Sequence, residues 1–299
     1  MKQFYVFLVV IGLLVQASDA RIRYIDKNGG NDQFGHSKYT TVQAAIDAAV
    51  DGDTVRILPG IYTEAVNIGK NILVQGGGIQ NTTIAYNNND QPAVNMTNGK
   101  LMWVQVTSYQ TDGCTMSNAT VSNCLFSMCG GNGVSIAGAN VTNVNWYNCL
   151  AIGNVGNGFY SGYNVNGDNS IIVATAINCI ASKNNMGVYA ENGTIACRNC
   201  DSYSNKNGNY SAYYGVVSQT NCLETDPGLS TDGDFRIGPS SVCKDAGDPT
   251  ILDLDGTRSD IGYYGGPDAP ILPYLTLPAI FKLNSDTTIQ FNITGKVAY

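Results

Sequence analysis

A short motif recurs through the middle of the chain, and its first full copy reads Asn123-Cys124-Leu125-Phe126-Ser127-Met128-Cys129-Gly130-Gly131-Asn132-Gly133. Further Asn-Cys pairs follow at intervals of 25, 30, 21 and 22 residues, at Asn148-Cys149, Asn178-Cys179, Asn199-Cys200 and Asn221-Cys222. In the first four copies a glycine comes 8 or 9 residues after the cysteine. A period in the low twenties indicates an internal structural repeat.

Short β-branched stretches lie between the motifs, such as Val134-Ser135-Ile136 and Ile171-Ile172-Val173. A repeat of this length is typical of a coil of three short strands, which cannot bury its own apolar face. Stacked coils bury a continuous core and pair each strand with its neighbours above and below. Asparagine and glycine suit the bends because both tolerate a left-handed backbone, and stacked asparagines can hydrogen-bond from coil to coil. The sequence therefore predicts an all-β stack of about seven or eight coils between residues 55 and 225.

One helix is predicted ahead of the coils, at about residues 41–51. Its apolar residues share one face at helical spacing, at Val42, Ala45, Ile46 and Ala49. A stack of coils exposes a strand edge and an apolar core at its end. We therefore expect this amphipathic helix to serve as an N-terminal cap.

The N-terminus has the features of a secretory signal. Lys2 precedes the apolar run 4–15, and Ser18 and Ala20 occupy the −3 and −1 positions of a small-residue cleavage site. The run is shorter than the roughly 20 residues that a membrane-spanning helix needs. We predict a cleaved signal peptide at 1–20, a mature chain without a transmembrane segment, and a secreted or cell-surface location. An uncleaved anchor is the alternative.

The chain is acidic, with 16 Lys and Arg against 23 Asp and Glu and a net charge of −7. An acidic surface repels nucleic acid and anionic membranes, so we expect neither as a partner. The same charge disfavours polyanionic substrates unless a cation bridges the two.

Nine cysteines in a secreted chain would usually indicate disulfides. Five of them, however, follow an asparagine at the same point of successive repeats. Side chains at stacked positions point the same way, about 4.8 Å apart, whereas a disulfide needs converging Cβ vectors. We predict a column of reduced thiols that pack as small hydrophobes, with disulfides as the alternative.

Two blocks of sequence flank the coils. The first comprises Tyr24-Ile25-Asp26, 41–46, 52–55, 59–62 and 71–76, and the second comprises 234–237, 245–249 and 262–267. Together with the Asn-Cys coils they resemble the pectin-lyase-like right-handed parallel β-helix superfamily. The resemblance implies a right-handed parallel β-helix over residues 21–267. It does not choose an activity, because the superfamily contains lyases, hydrolases, epimerases, adhesins and non-catalytic surface proteins.

Catalysis in this superfamily would need a base with a cation in a lyase, or paired acids in a hydrolase. The chain has no Asp-Asp pair, no Gly-His-Gly and no Arg-x-Pro-x-x-Arg, and its single histidine, His36, precedes the coils. The remaining charged candidates for catalysis are Lys183, Glu191, Arg198 and Asp201, of which Lys183 or Arg198 could act as base or charge stabiliser. A solvated charged face is the alternative.

Tyrosine is abundant, with 18 residues. Aromatic faces suit sugar stacking, and the hydroxyl adds a polar tip. The predicted carbohydrate-binding residues are Tyr160, Tyr163, Tyr189 and Tyr203, drawn from a wider set that includes Phe159, Tyr210, Tyr213 and Tyr214. Packing within the core is the alternative for part of this set.

A possible calcium loop contains Asp253, Asp255 and Asp260, although it lacks the glycine and glutamate positions of a helix-loop-helix calcium site. A polar turn is the alternative, and we expect no other cofactor. Residues 268–299 are predicted to form a Pro-rich linker followed by a β segment. That segment alternates apolar and polar residues, with Thr287, Ile289, Phe291 and Ile293 on one face. It is either a packing strand or the start of a further module.

The function predicted from these features is a secreted β-helix protein that binds extracellular or cell-surface polysaccharide without catalysis. The alternative is a polysaccharide lyase or glycoside hydrolase of the pectin-lyase-like fold. Either function makes a polysaccharide or other glycan the partner.

Overall fold

A computed structural model describes residues 20–31, 38–138, 141–162 and 172–270. Residues 1–19 of the predicted signal peptide, His36, Tyr163 and the predicted β segment of the tail lie outside these residues. Across the described ranges, no helix is long and apolar enough to cross a membrane.

Nearly all of the regular secondary structure in the described residues is β-strand, arranged in three parallel sheets. Sheet 1 stacks nine strands in the order β1 (Ile22–Ile25), β2 (Thr54–Ile57), β5 (Leu73–Gln75), β8 (Lys100–Met102), β11 (Thr120–Ser122), β14 (Val141–Tyr147), β17 (Ile172–Ile177), β20 (Thr194–Arg198) and β23 (Val216–Thr220). Sheet 2 stacks β3 (Gly60–Thr63), β6 (Thr82–Tyr86), β9 (Gln105–Ser108), β12 (Leu125–Ser127), β15 (Leu150–Ile152), β18 (Ile180–Ser182) and β21 (Asp201–Tyr203). Sheet 3 stacks β4 (Val66–Ile68), β7 (Val94–Met96), β10 (Cys114–Met116), β13 (Val134–Ile136), β16 (Phe159–Ser161), β19 (Met186–Ala190) and β22 (Gly208–Ala212).

The chain visits the sheets in the fixed order 1, 2, 3 and then returns to sheet 1 one layer further on. Each circuit is one coil, so β2 to β22 form seven coils and β23 begins an eighth. Parallel crossovers of this kind are right-handed because of the twist of the strands. The right-handed parallel β-helix predicted from the repeats is confirmed.

The Asn-Cys motif forms the corner between sheets 1 and 2. All five asparagines are left-handed, with φ between 48° and 56°. The residue after each cysteine donates its amide to the carbonyl at the cysteine position of the previous coil. Leu150 donates in this way to Cys124 (3.0 Å), and Ile180 donates to Cys149 (2.9 Å). The five cysteines therefore stand in one file along the stack. All nine cysteines are unpaired, and in this file only Cys222 is more than slightly exposed, which confirms the column of reduced thiols.

The helix α1 spans Val42–Ala48, shorter than the predicted 41–51. Its first two amides donate to the carboxylate of Glu64 (2.8 and 2.9 Å). It ends early because Ala49 is extended, and the Lys70 ammonium binds the freed carbonyls (2.7 to 2.9 Å). The helix contacts β1, β2 and β4 at the start of the stack. Its role as a cap stays a prediction.

Residues 226–268, here called the closing segment, run back along the outside of sheet 2. Ile261 and Tyr263 pack against outward side chains of sheet 2, at Leu125, Leu150 and Ile180. Four of the corner asparagines bind this segment, as Asn148 Nδ2 does at the carbonyls of Asp260 (2.9 Å) and Gly262 (3.1 Å).

Coil-to-coil bonding between asparagines, which we predicted from their stacking, occurs in the column after sheet 2. The Nδ2 of Asn154 donates to Oδ1 of Asn184 (2.9 Å), and Asn184 donates in turn to Asn205 (3.1 Å). For the corner asparagines of the first four copies the expectation was wrong, because their side chains bind the closing segment.

Candidate functional site

The outer face of sheet 3 carries a column of polar and aromatic side chains. The closing segment covers the matching face of sheet 2. On sheet 3, one outward column runs in register along the stack through Asn67, Asn95, Thr115, Ser135, Tyr160, Tyr189 and Ser211. Tyr160 and Tyr189 are partly exposed in this column, whereas Ser135 beside Tyr160 is only 4% exposed.

Tyr160 and Tyr189 are neighbours in this column because β16 pairs with β19 in register. Their ring centroids lie 6.0 Å apart, and the ring planes differ by 19°, so the two rings are stacked. Both side chains are half-buried. The pair forms a continuous aromatic surface that extends over two coils.

Glu191 follows β19 at the next corner, and its backbone amide donates to the carbonyl of Ser161 (3.0 Å). This bond places its carboxylate over the previous coil, where it accepts a hydrogen bond from the Tyr160 hydroxyl. Burial, with the nearby Glu191 carboxylate and Tyr213, raises the pKa of Tyr189. The Tyr189 hydroxyl therefore stays protonated and can donate to a ligand.

The following coil adds two more aromatic rings. The amides of Tyr213 and Tyr214 donate to the carbonyls of Ala190 (3.0 Å) and Glu191 (2.9 Å). Their side chains are 67% and 72% exposed, and their rings meet edge to face with centroids 4.2 Å apart. We call Tyr160, Tyr189, Glu191, Tyr213 and Tyr214 the tyrosine patch.

The patch combines the groups that recognise sugars. Aromatic faces bind the C–H faces of a pyranose ring, while hydroxyl and carboxylate oxygens accept hydrogen bonds from sugar hydroxyls. Neighbouring coils repeat about every 4.8 Å, so a ligand that lies along the stack would meet the two rings one after the other.

The four predicted catalytic residues do not share one groove. Glu191 belongs to the tyrosine patch. Lys183 is exposed at the corner after β18, whereas Arg198 ends β20 and pairs with Asp248 at 3.6 Å. Lys183 and Arg198 thus lie at opposite ends of the strands of sheet 2. Their catalytic role stays a prediction to which this placement gives no support.

Asp201, the fourth predicted catalytic residue, is buried beneath the closing segment. It takes the place in the outward column of sheet 2 that Leu125, Leu150 and Ile180 hold in earlier coils. Its carboxylate accepts bonds from the Thr225 amide (3.3 Å) and the Cys243 thiol (3.5 Å). Burial raises its pKa to about 6. A group enclosed in this way cannot reach a polymer.

Tyr203 ends β21 on sheet 2, in register with Ser182, and so lies on a different face from the tyrosine patch. Phe159 is buried in the core beside Trp146, with ring centroids 5.2 Å apart. Tyr210 packs partly against the same core and donates to the carbonyl of Leu223 (3.3 Å).

The predicted calcium ligands serve the closing segment itself. Asp253 accepts bonds from the amides of Gly266 (2.5 Å) and Asp260 (3.1 Å), while Asp255 accepts from Thr257 (2.9 Å) in a tight turn. The carboxylate of Asp260 accepts from the Asp245 amide (2.7 Å). Within the described ranges no three His, Cys, Asp or Glu residues are arranged to hold a metal. The calcium site stays a prediction without geometric support.

Sequence reasoning selected Tyr160 and Tyr189 but missed that Glu191 joins them. The two partners, Tyr160 and Glu191, are 31 residues apart. Counting from the Asn-Cys pairs would have aligned the coils, but the interval between those pairs varies from 21 to 30 residues. Because the corners differ in length, the sequence does not reveal that Glu191 lies beside Tyr160.

The comparisons with known proteins concern architecture. No family model matches the sequence, and no curated protein matches it significantly. The chain is similar to the structure of the pectate lyase Pel9A, with 16% identity and a TM-score of 0.47 over 82% of this chain and 96% of that one. It is also similar to pectin methylesterases from Aspergillus niger (11%, TM-score 0.43, 74% and 91% covered) and from carrot (14%, TM-score 0.39, 72% and 85% covered). At these identities the likeness is one of fold alone, and the parallel β-helix itself is established by the three sheets of this chain.

Proposed function

We propose that this protein is a secreted β-helix that binds a neutral extracellular or cell-surface polysaccharide through the tyrosine patch, without cleaving it. The observation that carries the proposal is the stacked pair Tyr160–Tyr189, partly exposed on the outer face of sheet 3 and joined to Glu191. Ser211 continues the column beyond Tyr189, is partly exposed, and offers a further polar contact to a long polymer.

A neutral glycan fits the electrostatics better than a uronate polymer. The chain carries a net charge of −7, and the patch contains the carboxylate of Glu191. Like charges repel, so a polyuronate would need a bridging cation. A neutral polysaccharide avoids this cost and can donate hydroxyl protons to the carboxylate.

The proposal is tested by affinity electrophoresis in gels containing neutral glycans or pectate, with and without calcium. Y160A and Y189A should each weaken binding to the retarding neutral glycan by about tenfold, which corresponds to ~1.4 kcal/mol. Y109A is the matched control, because Tyr109 is 75% exposed in an earlier coil outside the patch. Equal retardation of all four proteins would contradict the proposed site.

The same preparations decide whether the protein is catalytic. Incubation with each glycan should leave the polymer length unchanged. New reducing ends or unsaturated products would replace this proposal by the lyase or hydrolase alternative, and loss of that product in K183A or R198A would identify the residues responsible.

A further inference from the structure

The last strand of sheet 1 has one unused edge. Within the described part of the chain, β20 is the only strand that pairs with β23. The sequence of β23 is Val216-Val217-Ser218-Gln219-Thr220, without charge or proline. Natural edge strands usually carry such residues to prevent unwanted pairing. An edge lacking them is suited to receive another strand.

The apolar interior is also thinly covered at this end. Val217, Tyr210 and Cys222 pack against the core but remain partly exposed, and Val216 is 55% exposed. The opposite end differs, because Ile25 of β1 and Val42 and Ile46 of α1 are buried in the core there. Coils need cover at both ends, so the end at β23 requires a partner.

We propose that residues 287–293 of this same chain add to β23 as a further strand of sheet 1. The alternation of Thr287, Ile289, Phe291 and Ile293 gives this segment one apolar face. That face would cover Val217 and Cys222, and its backbone would use the open edge of β23.

The tail starts close enough to reach this edge. Asp268 binds Lys100 (2.5 Å) and Ser122 (3.2 Å), which belong to β8 and β11 of sheet 1. Four strand spacings separate β11 from β23, about 19 Å at 4.8 Å each. The 19 residues from Asp268 to Thr287 can span about 60 Å when extended. A tethered segment also binds at a high effective concentration, which favours it over a free partner.

Hydrogen exchange of the full-length protein, followed by mass spectrometry of the peptide that contains residues 216–220, tests the proposal. In the native chain these amides should exchange at least tenfold more slowly than in F291D, because F291D places a charge on the apolar face. The control is F281D, which makes the same change in the tail outside the alternating segment and should leave the exchange rate as in the native chain.

Three outcomes would overturn the proposal. The first is fast exchange of residues 216–220 in the native chain, which would mean an uncovered edge. The second is an equal effect of F281D and F291D. The third is protection that rises with protein concentration together with a dimer in light scattering, which would make a second copy the occupant.

Discussion

At the scale of single residues, the corner asparagines do two tasks at once. Asn148 holds a left-handed backbone (φ 48°), and its Nδ2 binds the carbonyls of Asp260 and Gly262. N148A should lose about 3 kcal/mol of unfolding free energy, from backbone strain and from two lost hydrogen bonds. N148G keeps the backbone accessible and should lose about 2 kcal/mol. Urea unfolding measures both losses of unfolding free energy. If N148G were as stable as the native chain, the side-chain hydrogen bonds of Asn148 would contribute nothing.

In the first three copies of the motif, the recurring glycine has a steric cause. A Cβ at Gly158 would lie 2.7 Å from the carbonyl oxygen of Gly187 and 2.9 Å from Nδ2 of Asn184, both in the next coil. G158A should therefore destabilise the protein by about 2 kcal/mol through overpacking. The control is G238A, because a Cβ at Gly238 meets nothing within 4 Å and should be tolerated. Equal thermal shifts for the two variants would refute the close approach.

At the scale of elements, the closing segment makes stability depend on pH through Asp201. Its folded-state pKa is about 6, against an ordinary value of 3.8. The folded protein thus binds this proton more tightly, and the stability it contributes is fully present below pH 3.8 and lost as the pH rises through 6. D201N removes this dependence. As the pH rises from 4.5 to 8, the unfolding free energy of D201N should increase by about 2 kcal/mol relative to that of the native chain.

Urea unfolding at both pH values gives this difference directly. Burial also raises the pKa of Asp260 to about 6. Asp260 is present in both proteins, so its contribution to the pH dependence drops out of the difference between them. If the difference in unfolding free energy between D201N and the native chain does not change with pH, then Asp201 is solvated and the closing segment does not enclose it.

The coils could be predicted from the sequence because each repeats the same local requirement. A left-handed corner needs Asn, the interior beside it takes a small thiol, and Gly158 and its equivalents leave room for the next coil. The closing segment offers no such period, so the burial of Asp201 could not be foreseen. The tyrosine patch was predicted in part, since stacking of Tyr160 on Tyr189 depends on a register that the unequal corners conceal.

At the scale of the whole molecule, each coil contacts mainly its two neighbours, so the end coils should open before the middle ones. The reactivity of the cysteines along the stack should follow this order of opening. Cys222 lies at the thinly covered end and is partly exposed, while Cys200 and Cys124 are buried one and four coils further inward. Burial raises the pKa of the Cys124 thiol, which further slows its reaction in the folded state.

Alkylation in mild urea, with each cysteine followed by peptide mass spectrometry, should therefore label Cys222 first, Cys200 next and Cys124 last. C222S is the control, since it should remove the fastest phase and leave the later order unchanged. Labelling of Cys124 ahead of Cys200 would contradict opening from the end at β23. A single common rate for all buried thiols would instead mean that the closing segment, which bridges the coils from Asn199 to Lys100, makes the stack unfold as one unit.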